Sequence, residues 1–179
     1  HVVHEAREWK LPIKVIHHKS GDDVFLLDDE RVIFLDNQRD SASILLPANA
    51  LPFPKDTLPL MDSSKFKRVG VELGWVGFPS VADSELCLFT GCVSAFLKEK
   101  DCYLIDGVAI NGVSGGPVFA ELINNRPEII GSVSAYLSNR VGSATLPGLL
   151  RAQDVSLFQA TIKRIKSLDE ARKQEKEES

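Results

Sequence analysis

The sequence predicts an all-β fold closed by one C-terminal helix, and three observations carry that expectation. Short apolar runs recur at roughly 8–12-residue spacing between turn-forming residues, the pattern of a sandwich or barrel rather than of βαβ units. Pro47, Pro52, Pro54 and Pro59 crowd one connector between two such β-rich halves. From Asp154 the apolar residues Val155, Phe158, Ile162, Ile165 and Leu168 fall at three- and four-residue steps, one stripe of an amphipathic helix.

In chain order, residues 11–16 alternate apolar with polar or proline, as a half-buried strand does. Ser20-Gly21-Asp22-Asp23 marks a turn before the apolar run Val24-Phe25-Leu26-Leu27, which Asp28-Asp29-Glu30 ends. Strands are expected at 31–35 and 41–46, the second stopped by Pro47. Proline cannot donate to a ladder, so the proline-interrupted segment 47–68 reads as a crossing between β-halves. The second half offers strands at 69–78, 86–97, 102–105, 117–120 and 129–136. Asp154 is the expected cap of the helix, because its carboxylate can accept from the free amides of the first turn. Residues 173–179 are nearly all charged and read as a solvated helix end or as disorder. The expected division is therefore 1–50 and 69–150 as β-units, 51–68 joining them, and 151–179 as helix and tail.

Bulk properties exclude several classes. The 179 residues, 44% of them hydrophobic, suit one globular domain, and no apolar stretch approaches the ~18 residues of a spanning helix. Lys and Arg number 21 against 25 Asp and Glu, a net charge of −4. A protein that binds nucleic acid by neutralising phosphates wants the opposite sign, so no nucleic-acid partner is expected. Cys87, Cys92 and Cys102 make an odd count without a C-x-x-C spacing, and isolated, half-buried thiols are the expectation. The four histidines lie near the N-terminus with no matching cysteine spacing, which leaves no zinc site. Unpaired thiols lean toward a reducing, cytoplasmic interior, with a periplasmic location left open because the chain starts at His1. Oligomeric state is not legible.

The chemistry is concentrated in Ile110-Asn111-Gly112-Val113-Ser114-Gly115-Gly116-Pro117-Val118-Phe119. A serine among three glycines, followed by proline and a new strand, is either a glycine-rich turn with an incidental hydroxyl or an acyl-transfer site. The second account gives each residue a task. A nucleophilic hydroxyl needs a tight exposed turn, with backbone N–H groups aimed where the carbonyl oxygen becomes an anion. Gly112 permits the twist that turns its own N–H inward, and the glycines after Ser114 leave room for a substrate.

Gly112-Val113-Ser114-Gly115-Gly116-Pro117 closely resembles the Gly-x-Ser-Gly-Gly-Pro signature of chymotrypsin/trypsin-like serine proteases. Ile129-Ile130-Gly131-Ser132-Val133 is similar to the strand that follows it in that family. Residues 103–106 upstream, and Gly74-Trp75-Val76-Gly77-Phe78-Pro79, look most like the bacterial branch, which includes the Deg/high-temperature-requirement proteases. The resemblance implies two six-stranded antiparallel β-barrels, the first incomplete here, with a C-terminal helix packed on the second. It implies a serine endopeptidase acting on protein or peptide substrates without metal or organic cofactor.

Within that resemblance Ser114 is the nucleophile, and the N–H groups of Gly112 and Ser114 form the oxyanion hole. Asp40-Ser41-Ala42-Ser43-Ile44-Leu45 fits the family's Asp-apolar-Ala-apolar-Leu strand at Asp40, Ala42 and the aliphatic pair. It departs at Ser41 and Ser43, and Asp36 competes with Asp40 for the role. His1-Val2-Val3 is similar to the family's His-Val-Val, which makes His1 the base and implies that the chain starts at that histidine, its preceding strands cut off and its activity poor. His4 is the nearest substitute, and His17 with His18 reads as a partly exposed pair. Val108 corresponds to the base of the pocket for the side chain preceding the cut, which disfavours basic residues there and favours small or medium apolar ones. Asp106 is a second candidate for that pocket. Gly131, Ser132, Val133 and Ser134 are similar to the pocket-wall strand that pairs with extended substrate. The alternative is a trypsin-fold module that binds or regulates without cutting, since loss of the triad would leave the glycine turn intact. A third reading, an unrelated barrel, has Asp40 and His1 far from Ser114.

Overall fold

The computed structural model describes residues 2–8, 10–26, 32–47, 49–82, 85–121, 126–141 and 143–177. The chain divides into two compact units, His1–Thr57 and Leu58–Ser179, the break falling inside the expected connector.

In the first unit a short helix, α1 (Val2–Glu8), precedes two antiparallel hairpins. The first joins β1 (Ile13–Ile16) to β2 (Asp23–Leu26), with Ile13 opposite Leu26 and Ile16 opposite Asp23. Its period-2 pattern holds: Ile13 and Val15 are half-buried while Lys14 and Ile16 are exposed. The second joins β3 (Val32–Asp36) to β4 (Ser41–Leu45). Among the described residues these are separate two-stranded sheets, not one closed sheet.

The second unit is a closed antiparallel barrel of six strands, in the order β10-β7-β6-β5-β8-β9, followed by a helix. The strands are β5 (Glu72–Gly77), β6 (Cys87–Leu97), β7 (Cys102–Gly107), β8 (Pro117–Glu121), β9 (Pro127–Val141) and β10 (Ala144–Asp154). Five of them sit where the apolar runs predict. The sixth, β10, lies beyond the individual strand runs expected from the sequence, which end at 136. Pro147 and Gly148 hide it in the sequence, but they fall where β10 has not yet joined β7, whose pairing covers only Leu150 to Gln153. There β10 pairs with β9 alone, and its register slips between Leu146 and Leu149. A missing N–H is tolerated on such an edge.

Closure gives every inward side chain a neighbour. Leu73, Trp75, Val93, Tyr103, Ile105, Val118, Ile130 and Leu150 make a single core, which Val155 and Met61 join. The Trp75 ring stacks on Phe89, centroids 6.0 Å apart. Its buried Nε1 has no protein acceptor among the described residues.

Residues 58–71 strap the barrel. Met61 N–H donates to the Ile129 carbonyl and Ile129 N–H to the Pro59 carbonyl, both at 2.8 Å. Lys67 meets Glu128 at 2.6 Å in a half-buried ion pair, and the Lys67 amide donates to the Tyr103 hydroxyl at 3.1 Å. Burial pushes the Tyr103 phenol up to about 12, against the opposite pull of that Lys67 amide.

Helix α2 (Ser156–Glu177) runs further than the apolar stripe, through most of the charged tail. Asp154 caps it as expected: Oδ1 accepts from the Ser156 amide at 3.0 Å and from the Ser156 hydroxyl. Gln159 donates through Nε2 to the Met61 carbonyl, tying helix to strap. No helix among the described residues is long and apolar enough to cross a membrane.

Candidate active site

Two successive turns carry the serine. The Val113 amide donates to the Ile110 carbonyl at 3.3 Å, and the Gly116 amide to the Val113 carbonyl at 3.0 Å. The third residue of each turn is a glycine at positive φ, Gly112 at 97° and Gly115 at 85°, the requirement of a type II arrangement. Ser114 takes the second position of the second turn and is exposed, while Val113 beneath it is buried.

The turns rest on the end of β5. A Cβ on Gly112 would overlap the Phe78 carbonyl oxygen, and one on Gly116 would overlap that of Val76. The Ser80 amide donates to the Asn111 carbonyl at 2.8 Å. The two glycine-containing stretches at 74–79 and 111–117, separate signals in the sequence, thus press against each other in space.

On the other side the turns are stitched to β9. The Gly115 amide donates to the Val133 carbonyl at 2.8 Å, and the Val133 amide to the Gly116 carbonyl at 2.9 Å. Among the described residues neither the Gly112 nor the Ser114 amide donates to any protein acceptor. The glycine amides after the serine are therefore spent on structure, and the two assigned to an oxyanion hole are not.

The four residues expected at the pocket wall, Gly131 to Ser134, all lie on β9. Ser132 and Gly131 pair with Pro117 and Val118 of β8, and Val133 is held by the glycine turn. Beyond Val133, β9 pairs only with β10 among the described residues. Ser134 Oγ is engaged with Arg151, accepting from Nε at 2.9 Å and donating to the carbonyl at 3.2 Å. Tyr136 and Leu137, further along β9, are exposed. Val108 is 58% exposed just past β7, and Asp106 is exposed on β7 itself.

Asp40 belongs to the first unit and Ser114 to the second. His1 lies outside the described residues. Asp40 ends the β3–β4 turn at φ 49° and lines a cleft of about 220 Å³ with His4, Asp36, Asn37 and Ser41. The substitute histidine and both candidate carboxylates therefore share one cleft. Asp36 is committed to the turn, Oδ1 accepting from the Arg39 amide at 3.0 Å.

One other group copies the residue types of a triad without its wiring. In the β1–β2 turn, His17 Nδ1 lies 2.7 Å from Ser20 Oγ, and that hydroxyl donates to Asp22 Oδ2 at 2.7 Å. The Ser20 proton is directed at the carboxylate rather than at imidazole, and the turn from His18 to Asp22 is exposed. It is a turn lock. All three cysteines are free, and burial raises the Cys102 thiol, which keeps it protonated and unreactive. No cluster of metal-ligating residues occurs among the described residues.

The serine turn of the second unit presents an exposed hydroxyl and, in Gly112 and Ser114, two amides that meet no acceptor among the described residues. No protein-family model matches the chain, and a search of curated proteins finds no significant match.

Proposed function

We propose that the chain is a serine endopeptidase domain of the two-barrel, trypsin-like architecture, with the hairpins of the first unit belonging to the first barrel. The observation that carries this reading is the Ser114 turn, an exposed hydroxyl flanked by the uncommitted amides of Gly112 and Ser114. Such donors, preorganised for a developing oxyanion, contribute roughly 3–4 kcal/mol each to the transition state.

In this reading an extended peptide lies along the β9 edge from Ser134 to Leu137 by strand addition. Ser114 Oγ forms a bond to the scissile carbonyl carbon while its proton passes to the imidazole of His1, which Asp40 orients. The tetrahedral oxyanion sits on the Gly112 and Ser114 amides. Its collapse breaks the C–N bond, and the imidazolium gives its proton to the leaving amine. Water, deprotonated by the same imidazole, then releases the acyl group and restores Ser114. His4, which shares the Asp40 cleft, is the competing base.

A fluorophosphonate probe tests the proposal, with the adduct located by mass spectrometry. Labelling is expected at Ser114, absent in Ser114→Ala, lost in His1→Ala and retained in His4→Ala. A folded protein that takes no label would instead be a module that binds extended chains on the β9 edge without cutting them.

A further inference from the structure

The end of the barrel remote from the serine carries a surface of another kind. β6 starts at Cys87, opposite the Gly77 that touches Val113, and ends at Leu97, opposite Cys102. That is about 30 Å along the strand. At the far end a 3-10 turn, Lys98–Lys100, leads into β7, and the strap lies against it. Phe66 of the strap stacks on Phe96, the rings nearly parallel with centroids 5.3 Å apart. The Lys98 ammonium stands over the Phe66 ring at 5.8 Å.

The strap then turns at Arg68-Val69-Gly70-Val71. The Val71 amide donates to the Arg68 carbonyl at 3.2 Å, and Gly70 has φ 84°, a type II arrangement with Val69 at its tip. The Gly70 amide fixes the turn to the Val93 carbonyl at 2.8 Å. Val69 is 69% exposed there and Phe66 is 49% exposed. Turn tips ordinarily carry glycine, proline or short polar residues, so a valine presented to water needs a reason. Cations stand around the two apolar side chains. Lys65, Arg68, Lys98 and Lys100 are all exposed, while Lys67 is engaged by Glu128. Asp62, Glu99 and Asp101 stand against them, and Asp62 Oδ1 is turned back onto the Ser64 amide and hydroxyl. In a chain of net charge −4, the run Lys65-Phe66-Lys67-Arg68-Val69 contains no acid.

We propose that this end of the barrel docks on an anionic lipid surface. Val69 and the edge of Phe66 enter the headgroup layer, and Lys65, Arg68, Lys98 and Lys100 meet the lipid charges. Apolar burial combined with attraction of cations to anionic lipid is what holds a protein at a bilayer interface. An acidic peptide wants a groove or a free strand edge, and the barrel sheet is closed. A nucleic-acid base wants an open aromatic face, whereas Phe66 has Phe96 on one face and Lys98 over the ring. The excess of cations is small, so the attachment is reversible and salt-sensitive. Docked this way, the barrel holds the serine turn at the end turned toward solution.

The test sediments the full chain with sucrose-loaded vesicles of phosphatidylcholine, with or without about one-third phosphatidylserine. At about 0.1 M salt the wild type should partition about tenfold better onto the anionic vesicles, and near 1 M that advantage should vanish. Arg68→Glu should lower partitioning about twentyfold, since each unit of charge near such a surface is worth about fivefold. Val69→Ser should lower it about threefold through lost apolar burial. Both positions are exposed, so the melts should match the wild type. If Arg68→Glu does not fold, Lys98→Glu decides in its place. Absence of partitioning onto anionic vesicles overturns the proposal, as does equal partitioning onto neutral ones. Partitioning that the charge reversal and Val69→Ser both leave unchanged also overturns it. Tighter binding of oligothymidylate or of polyglutamate than of vesicles would replace the lipid by a nucleic acid or an acidic protein.

Discussion

Ser114 and the glycines beside it answer to different constraints, and substitutions separate them. Ser114 is exposed and makes no hydrogen bond with the described residues, so Ser114→Ala should move stability by no more than about 0.5 kcal/mol. The same change should lower kcat by about 10⁴-fold or more if the hydroxyl is the nucleophile. Gly112 has both a positive φ and a carbonyl in the place of its absent Cβ. Gly112→Ala should cost about 2–3 kcal/mol in a thermal or urea melt and abolish labelling of Ser114, because the turn must shift to admit the methyl. Equal melts for wild type and Gly112→Ala would show that the turn is not held where the packing places it.

At the level of elements, α2 depends on Asp154 for its start. Asp154→Ala should cost about 1 kcal/mol, seen as a lower Tm with unchanged strand content in circular dichroism. That cap was legible because an acidic residue stood directly before a 3.6-residue apolar period. Five of the barrel strands were legible for the same kind of reason, since their runs have a turn signal on each side. β10 was not, because Pro147 and Gly148 are strand-breaking residues and only the one-sided pairing beyond β7 makes them acceptable. The serine turn could be read from its glycines, each of which marks a conformation or a close approach. That Gly131 and Ser132 already pair with β8 was not legible, because period and composition do not reveal which stretch of a long strand is paired on both sides.

For the whole molecule, the barrel unit contains its own core, its own strap and the serine turn. A fragment of residues 58–179 should fold cooperatively alone, with a far-ultraviolet spectrum dominated by β-structure; a molten baseline would show that the first unit is needed for packing. Its stability should fall in alkali. The Tyr103 phenol is held near 12 in the folded protein against 10.0 when unfolded. Below pH 10 both states are neutral and no dependence arises from this group. Between 10 and 12 only the unfolded chain releases the proton, so stability declines by on the order of 2 kcal/mol and levels off above that range. Tyr103→Phe should flatten that decline, measured as the urea midpoint against pH.

Trp75 gives the protein an optical probe at its centre. The sequence has two tryptophans, so Trp9→Phe leaves one emitter. That indole is wholly enclosed, stacked on Phe89, and its N–H meets no acceptor among the described residues. Its fluorescence should be blue-shifted, resistant to aqueous quenchers and lost in step with closure of the barrel. Because Trp75 pairs with Val118, four residues past Ser114, any reagent that modifies the serine and disturbs its turn should register in that emission without a label on the protein surface.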